Sequence, residues 1–463
     1  MPENVLSVLH EATLRLLTRV GVKVESEEAR DLFADNGIRV DPLLERVYPR
    51  QEDVANTLAT APSTFKVYGR AAHPLVIGGD GTFILSGGAS IRVLTLDGAY
   101  EEASWEHLRQ FNLLLDALPN VHMLLNQVDP QPPCDGYYRR IAAEMLCGTG
   151  KSCCLQAGDA ADVAAFVEMG AAIRGSREAL AAKPIFITGS NAEPPLCLPA
   201  HAAEILMEAS RSGVPCGIGD YVMMGVTAPI TPAGALVQRN AVQLAALILS
   251  QLAQPGAAFY YVGSSGSADM RTLNPITADP ASARLLRDAV ALGRSYGLPV
   301  CGLACTDAKG PDPQAACERT ALLQIAMAAG AHLIQGPTSM MDGMMLSSFT
   351  QAIIDHDIVS YLLAATEPVT ASMDMLAMSA IREVAEDVSP QNLKFVAHPH
   401  TAEHLHDADW QPAVFRSAPF SAARRQVPLL ERAESVARTI LLTHQPEPLP
   451  PDVEGTIRKL AVV

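Results

Sequence analysis

The chain has 463 residues, 49% of them apolar and 5% aromatic, with 34 basic against 50 acidic side chains and a formal charge of −16. That length can bury a large core and exceeds one small domain. The negative surface repels nucleic acid and anionic lipid, which excludes both as partners, and it disfavours an anionic substrate.

From Met1 the sequence runs straight into an amphipathic pattern, with no basic segment, apolar signal core or cleavage site. It does not read as a secretory leader. No stretch of about 18 apolar residues is free of charged or strongly polar groups, so no membrane span is expected. Nine cysteines lie scattered without a disulfide-like framework. They read as reduced thiols, mostly small core residues, and the expected compartment is the cytoplasm.

Apolar positions at helical spacing (Val5, Val8, Leu9, Leu16, Leu17) predict a first helix over 3–20, stopped by Gly21. Ser26 opens a second helix over 26–35, and a third falls near 51–60. Phe65–Tyr68 and Leu75–Ile77 read as short strands, so residues 1–81 form an N-terminal α+β extension. From residue 82 short apolar runs alternate with longer amphipathic segments. The runs are Phe83–Leu85, Val121–Gln127, Ser152–Gln156, Ile185–Gly189, Cys216–Gly219, Phe259–Gly263, Val300–Cys305 and Leu333–Gly336. The helices between them fall near 104–117, 136–147, 159–174, 200–212, 232–252, 280–296, 312–329 and 344–366. Eight such units over 82–367 predict an α/β fold, a (β/α)8 TIM barrel. Continuous apolar strands suit a parallel sheet covered on both faces. The rival is an open doubly wound sheet, which the lack of a Gly-x-Gly-x-x-Gly after the early strands weakens. Residues 368–463, richer in Pro and His, read as a C-terminal extension packed on the barrel.

A barrel carries its function at the C-terminal ends of its strands. Those positions hold Gly87 and Gly88, Gln127 and Asp129, Gln156, Ser190 and Asn191, Asp220 and Tyr221, Ser264 and Ser265, Thr306 and Asp307, and Gln335. Such a rim, rich in amides, hydroxyls and acids, suits a cationic ligand held by carboxylates and aromatic faces. Asp159 and Asp312 read as helix caps. Cys147-Gly-Thr-Gly-Lys-Ser152 resembles the end of a phosphate loop, but Met145 stands where its first glycine belongs. His398, His400, His404, His406, Asp407 and Asp409 match no standard zinc spacing, and no metal site is expected. Cys153, Cys154, Cys301 and Cys305 read as core. Lys309 is the only lysine near the proposed face that could serve a Schiff-base lyase.

The segment 223–360 carries a resemblance. Gly225-Val-Thr-Ala-Pro-Ile-Thr-Pro-Ala-Gly-Ala235 with Asn240, Gln251-Leu-Ala-Gln-Pro-Gly256, Asp269-Met-Arg271 and Tyr296-Gly-Leu-Pro299 resemble the trimethylamine methyltransferase family. Thr306-Asp-Ala-Lys309, Asp312-Pro-Gln314 and Glu318 continue the likeness, and Phe65–Arg70 and His400–Pro412 extend it to the ends. The resemblance implies a TIM-barrel enzyme that takes a methyl group from a methylated amine. The methyl passes to the Co(I) of a corrinoid (cobalamin) carried by a partner protein, with no metal of the chain's own. Only standard residues occur, so the chain resembles the pyrrolysine-free branch, which acts on quaternary amines such as glycine betaine. It departs from the family pattern at Asn240-Ala-Val242, at the turn Gln335–Asp342 and at Asp355-His-Asp357.

On this reading Asp220, Asp307 and Gln335 carry the cation site. Tyr221 adds to it, with Tyr260 or Tyr261 as a cage aromatic; being adjacent on a strand, at most one of these two points inward. Gln156, Gln314, Glu318 and His356 are further candidate polar groups, and Arg271 is placed to hold a betaine carboxylate. Displacement at a methyl carbon asks the protein to hold the cation, aim one methyl outward and exclude water. The alternatives are a cytoplasmic binding protein for betaine-like cations and a barrel lyase using Lys309. A homo-oligomer is expected, with no nucleic-acid or membrane partner.

Overall fold

The computed structural model describes residues 1–70, 73–389, 394–406, 410–417, 419, 421 and 426–462. Eight parallel strands close into a barrel: β1 (Phe83–Leu85), β2 (Met123–Leu125), β3 (Ser152–Gln156), β4 (Phe186–Asn191), β5 (Cys216–Gly219), β6 (Phe259–Val262), β7 (Val300–Leu303) and β8 (Leu333–Gln335). They follow one another in chain order, and β8 pairs with β1 through Leu333–Phe83, Ile334–Ile84 and Gln335–Leu85. The predicted barrel is the observed one.

Eight helices surround it: α1 (Trp105–Ala117), α2 (Tyr137–Gly148), α3 (Ala160–Arg174), α4 (Ala200–Arg211), α5 (Pro232–Ala253), α6 (Pro280–Ser295), α7 (Pro313–Ala329) and α8 (Phe349–Thr366). Asp159 and Asp312 cap α3 and α7 by accepting from the Asp162 and Ala315 amides. Helix α8 starts five residues later than the spacing predicts, at Phe349 rather than 344. Asp342, Gly343 and Met344 all take positive φ (51°, 56°, 81°), so the chain doubles back there. It pairs Met340–Met341 with Leu346–Ser348 before the helix can begin.

Strand alternation divides the core into two shells. Leu85, Met123, Leu125, Cys154, Ile187, Tyr260, Val262, Cys301 and Leu333 fill the barrel. Their neighbours Ile84, Leu124, Cys153, Leu155, Phe186, Ile218, Phe259, Tyr261, Val300 and Ile334 pack outward against the helices. The hairpin Phe65–Val67/Leu75–Ile77 inserts Phe65, Val67 and Ile77 into the inner shell. It sits at the N-terminal end, where the Tyr68 and Arg70 amides donate to the Pro184 and Gly150 carbonyls. Gly217 makes room for the ring of Tyr260, which a Cβ there would meet at 2.3 Å.

Outside the barrel, helix Glu3–Arg19 lies on α5, and strand Val22–Val24 pairs with Cys197–Leu198. Helix Leu429–Thr443 packs on α8 and α1, and Pro451–Leu460 on α3 and α2. Asp357 accepts hydrogen bonds from the Ala413, Val414 and Phe415 amides at 2.7–2.8 Å, fastening the C-terminal segment to α8. Val242 is buried within α5. Among the described residues no helix is long and apolar enough to cross a membrane.

Candidate functional site at the barrel mouth

The C-terminal strand ends ring the mouth of the barrel, flanked by two small sheets built from the strand–helix loops. One joins Val222–Met224, Ser265–Ala268 and Pro275–Ile276; the other joins Met340–Met341, Leu346–Ser348, Arg92–Leu94 and Tyr100–Glu102. Gln156 and Gln335 are in phase with Cys154 and Leu333, which fill the barrel, so both carboxamides face its axis. The Asn191 side chain lies over Gly219, where a Cβ would come within 2.3 Å of its Oδ1. Tyr221 packs against Leu303, Cys305 and Met340 together with Met344.

Met340 is fully buried and central to this arrangement. Its Sδ accepts the Gly88 amide at 3.0 Å. A Cβ on Gly87 would lie 2.9 Å from its Cβ, and one on Gly336 would lie 2.9 Å from its Cε. Gly87 and Gly336 thus leave room for Met340, while a Cβ on Gly87 would also meet Gln127 Nε2 and one on Gly88 would meet the Leu125 side chain. Gln127 is held by donating from Nε2 to Ser347 Oγ at 2.8 Å.

Several buried polar atoms at this end have no hydrogen-bond partner: Asn126 Oδ1, Gln127 Oε1, both oxygens of Asp220, Tyr221 Oη and Thr338 Oγ1. Other unpartnered groups, such as Arg70 and Tyr137, lie elsewhere. Each costs roughly 1–3 kcal/mol if nothing satisfies it. Apart from Arg239 Nε, which is also unpartnered beside Asp220 on the α5 side, these atoms are oxygens, several of them acceptors only, and they suit a ligand that brings positive charge. Burial pushes the Asp220 carboxyl up to about 7, with the Arg239 guanidinium pulling it back. Burial pushes Asp129 up to about 6 against the opposing hydrogen bond from Asn126.

The predicted residues separate into groups. Gln156, Gln335 and Tyr221 face the mouth. Tyr260 forms the floor beneath them, donating its hydroxyl to the Thr188 carbonyl at 2.9 Å, whereas Tyr261 turns outward to Asn240 at 3.1 Å. Asp220 also lies on the α5 side of its strand, with Arg239, which donates to the Val262 carbonyl. Asp307 is taken up by the loop above β6, accepting from the Thr277 amide at 3.0 Å, its hydroxyl at 2.6 Å and the Ala278 amide at 3.0 Å. Glu318 accepts from Thr306 Oγ1, the Asp307 amide and Gln314, so these three carboxyl and amide groups hold loops in place.

Arg271 is exposed in a turn capped by Asp269. His356 meets Asn120 at 3.3 Å, in the connection leading into β2 and so towards the opposite end. Lys309 is 72% exposed and paired with Asp342. In the histidine-rich segment His398 faces Glu383 and His404 faces Asp374, while Asp407 and Asp409 lie outside the described residues. Among the described residues no group of three or more His, Cys, Asp or Glu could hold a metal. Met340, Asn126 and Thr338 join the site without a sequence signal. Only the paired glycines at 87–88 hinted at a close approach.

A closed (β/α)8 barrel with an oxygen-lined mouth at the carboxyl ends of its strands is the architecture of a barrel enzyme. A family model described as trimethylamine methyltransferase matches residues 1–461, so the chain belongs to that family and is a methyltransferase. It is 28% identical to a trimethylamine methyltransferase of Desulfitobacterium hafniense over 461 residues, spanning 98% of this chain and 92% of the relative. It is 26% identical to a glycine betaine methyltransferase of another strain of that species over 463 residues, spanning 99% and 95%. The fold is also that of the monomethylamine methyltransferase of Methanosarcina barkeri, with TM-score 0.50, 10% identity and 94% and 97% coverage.

Proposed function

We propose that the chain demethylates a quaternary or tertiary methylated amine, of the kind represented by glycine betaine and trimethylamine, and passes the methyl group to a corrinoid protein. The observation that carries this reading is the cluster of unpartnered buried oxygens at the mouth. The cation sits between the Tyr221 ring and the carboxamides of Gln156 and Gln335, with Asp220 and Asp129 supplying negative potential from behind the strand ends. Tyr260, Met340 and Leu303 keep water from beneath it and leave one methyl directed outward.

The corrinoid, bound to its own protein, supplies a strongly nucleophilic cobalt as methyl acceptor. The residues present fit an external acceptor, because among the described residues the mouth offers no activated nucleophile of its own. Burial holds the Cys305 thiol protonated, its pKa pushed up to about 11. The exposure of Lys309 and its pairing with Asp342 favour the methyltransferase over a lyase. The chain works in the cytoplasm as a homo-oligomer.

The test is methyl transfer from a panel of methylated amines to Co(I) cobalamin, followed by absorbance. Methylcobalamin formed with at least one amine is the expected result. No transfer from any amine, with the corrinoid protein present, would overturn the proposal.

A further inference from the structure

We infer that residues 368–406 form an arm that packs on a second copy of this chain, in the groove between helix Glu3–Arg19 and α5. This gives the homo-oligomer proposed above its interface, and it does not depend on the methyl-transfer reading.

The arm is marked by how little it buries. It leaves the chain after α8 and returns where Trp410 donates to Ser360 Oγ at 2.9 Å and Asp357 holds the Ala413–Phe415 amides. Helix Met378–Glu386 packs on the turn Lys394–Ala397, and His398 and His404 face Glu383 and Asp374, so the main contacts of the arm are with itself. Among its described residues only Ala380 is buried. Val369, Met373, Met378, Ile381, Val396 and Leu405 are all exposed, Val369 by 94%. With its other apolar side chains the arm presents on the order of 1,000 Å² of apolar surface. That exceeds the roughly 300–600 Å² of a monomer's largest patch and is close to the ~800 Å² that one partner gives to a standard interface. A segment of about 40 residues without a core of its own needs another surface to stay folded.

Two observations choose that surface. Helix α8 runs from the mouth toward the N-terminal end of the barrel, so an arm rooted beyond Thr366 starts away from the mouth, where the methyl acceptor docks on the proposed reading. The same chain also carries a matching seat. A groove of about 430 Å³ is lined by Val8, Ala12 and Leu16 of the N-terminal helix, by Ala233 and Val237 of α5, and by Leu196. Its one polar side chain, Gln238, already donates to the Thr227 carbonyl at 2.8 Å. Val8 and the neighbouring Ile230 stand exposed beside it. Helices α6 and α7 stand between this groove and α8, so the arm that fills it comes from another copy. Reciprocal exchange, with each arm in the groove of the other chain, closes a two-fold dimer.

Sedimentation velocity on the full chain tests this, with methyl transfer to Co(I) cobalamin measured in parallel. The chain should sediment as a dimer or as a larger oligomer built from it. Met378→Glu with Ile381→Glu on the arm should weaken the dimer at least about tenfold, and so should Val8→Glu with Ala233→Glu in the groove. All four positions are exposed in the single chain, so circular dichroism should be unchanged. Each variant keeps one intact half, and mixing the two should restore dimers through one arm–groove contact. A monomeric wild-type chain would overturn the inference, as would an arm variant that still dimerises. A dimer broken by the arm charges but not by the groove charges would mean that arm pairs with arm, and would overturn the groove as its seat. An arm that captures the corrinoid protein and leaves self-association unaffected would overturn it too. A chain that dimerises as expected but transfers no methyl group would instead remove the functional reading and leave this inference standing.

Discussion

Replacing Asp220 by Asn should make the protein more stable at neutral and alkaline pH. Asp220 is fully buried and unbonded, and its carboxyl titrates near 7 rather than at the ordinary value of about 3.9. A raised carboxylate pKa means the folded chain holds a proton that the unfolded chain has lost. Stability therefore falls as pH rises from about 4 to about 7 and levels off above that. Three units at about 1.36 kcal/mol each give a ceiling of about 4 kcal/mol at pH 8. The unfolding entropy of a chain this long is about 1 kcal/mol/K, from roughly 2.1 cal/mol/K per residue, so the gap corresponds to about 4 °C in Tm. Thermal unfolding of both proteins from pH 4 to pH 8 would show curves that nearly coincide at the acid end and separate steadily toward pH 8. A gap that stays flat across this range, or a variant less stable at pH 8, would refute the reasoning. It would mean that Asp220 is ionised in the fold and that Arg239 compensates it fully.

Asp357→Ala should release the segment around Ala413–Phe415, since three amide hydrogen bonds to a charged acceptor contribute about 3–5 kcal/mol together; limited proteolysis would detect earlier cleavage there. Against burial, which raises it, the His356 side chain and then these amide bonds hold the Asp357 pKa below its ordinary value, so their stabilisation is present above about pH 4 and lost as pH falls through the folded pKa. Gly217→Ala should lower Tm by at least about 3 °C or prevent folding, because its Cβ meets the Tyr260 ring at 2.3 Å; pairing it with Tyr260→Leu should recover part of the loss. Lys309→Ala should leave methyl transfer unchanged and shift Tm by less than about 1 °C, as its ion pair is exposed, whereas loss of activity would revive the lyase.

The barrel was legible because each strand is buried on both faces and appears as an unbroken apolar run. Leu333–Gln335, for instance, packs Ile334 outward and Leu333 inward. The inward phase of Gln156 and Gln335 follows from the same alternation. The hairpin before α8 was not legible. Its turn uses positive φ at Asp342 and Met344, conformations that side-chain periodicity does not report. Asp307 and Glu318 illustrate a second limit. Their positions at the rim were readable, but the amides of Thr277 and Ala278 that occupy Asp307 lie 30 and 29 residues away in the chain. Asp220 and Tyr221 show how one step along a strand separates a group behind the wall from one facing the cavity.

The hairpin at 65–77 has a kinetic consequence. It packs Phe65, Val67 and Ile77 into the N-terminal end of the barrel, so on the proposed reading the amine enters at the opposite end. If the proposed acceptor protein docks on that end, it also closes it. The amine must then enter before the acceptor arrives, and the demethylated product must wait until it departs. On that reading turnover is ordered, and a high concentration of acceptor should slow the reaction by shutting in product or shutting out substrate.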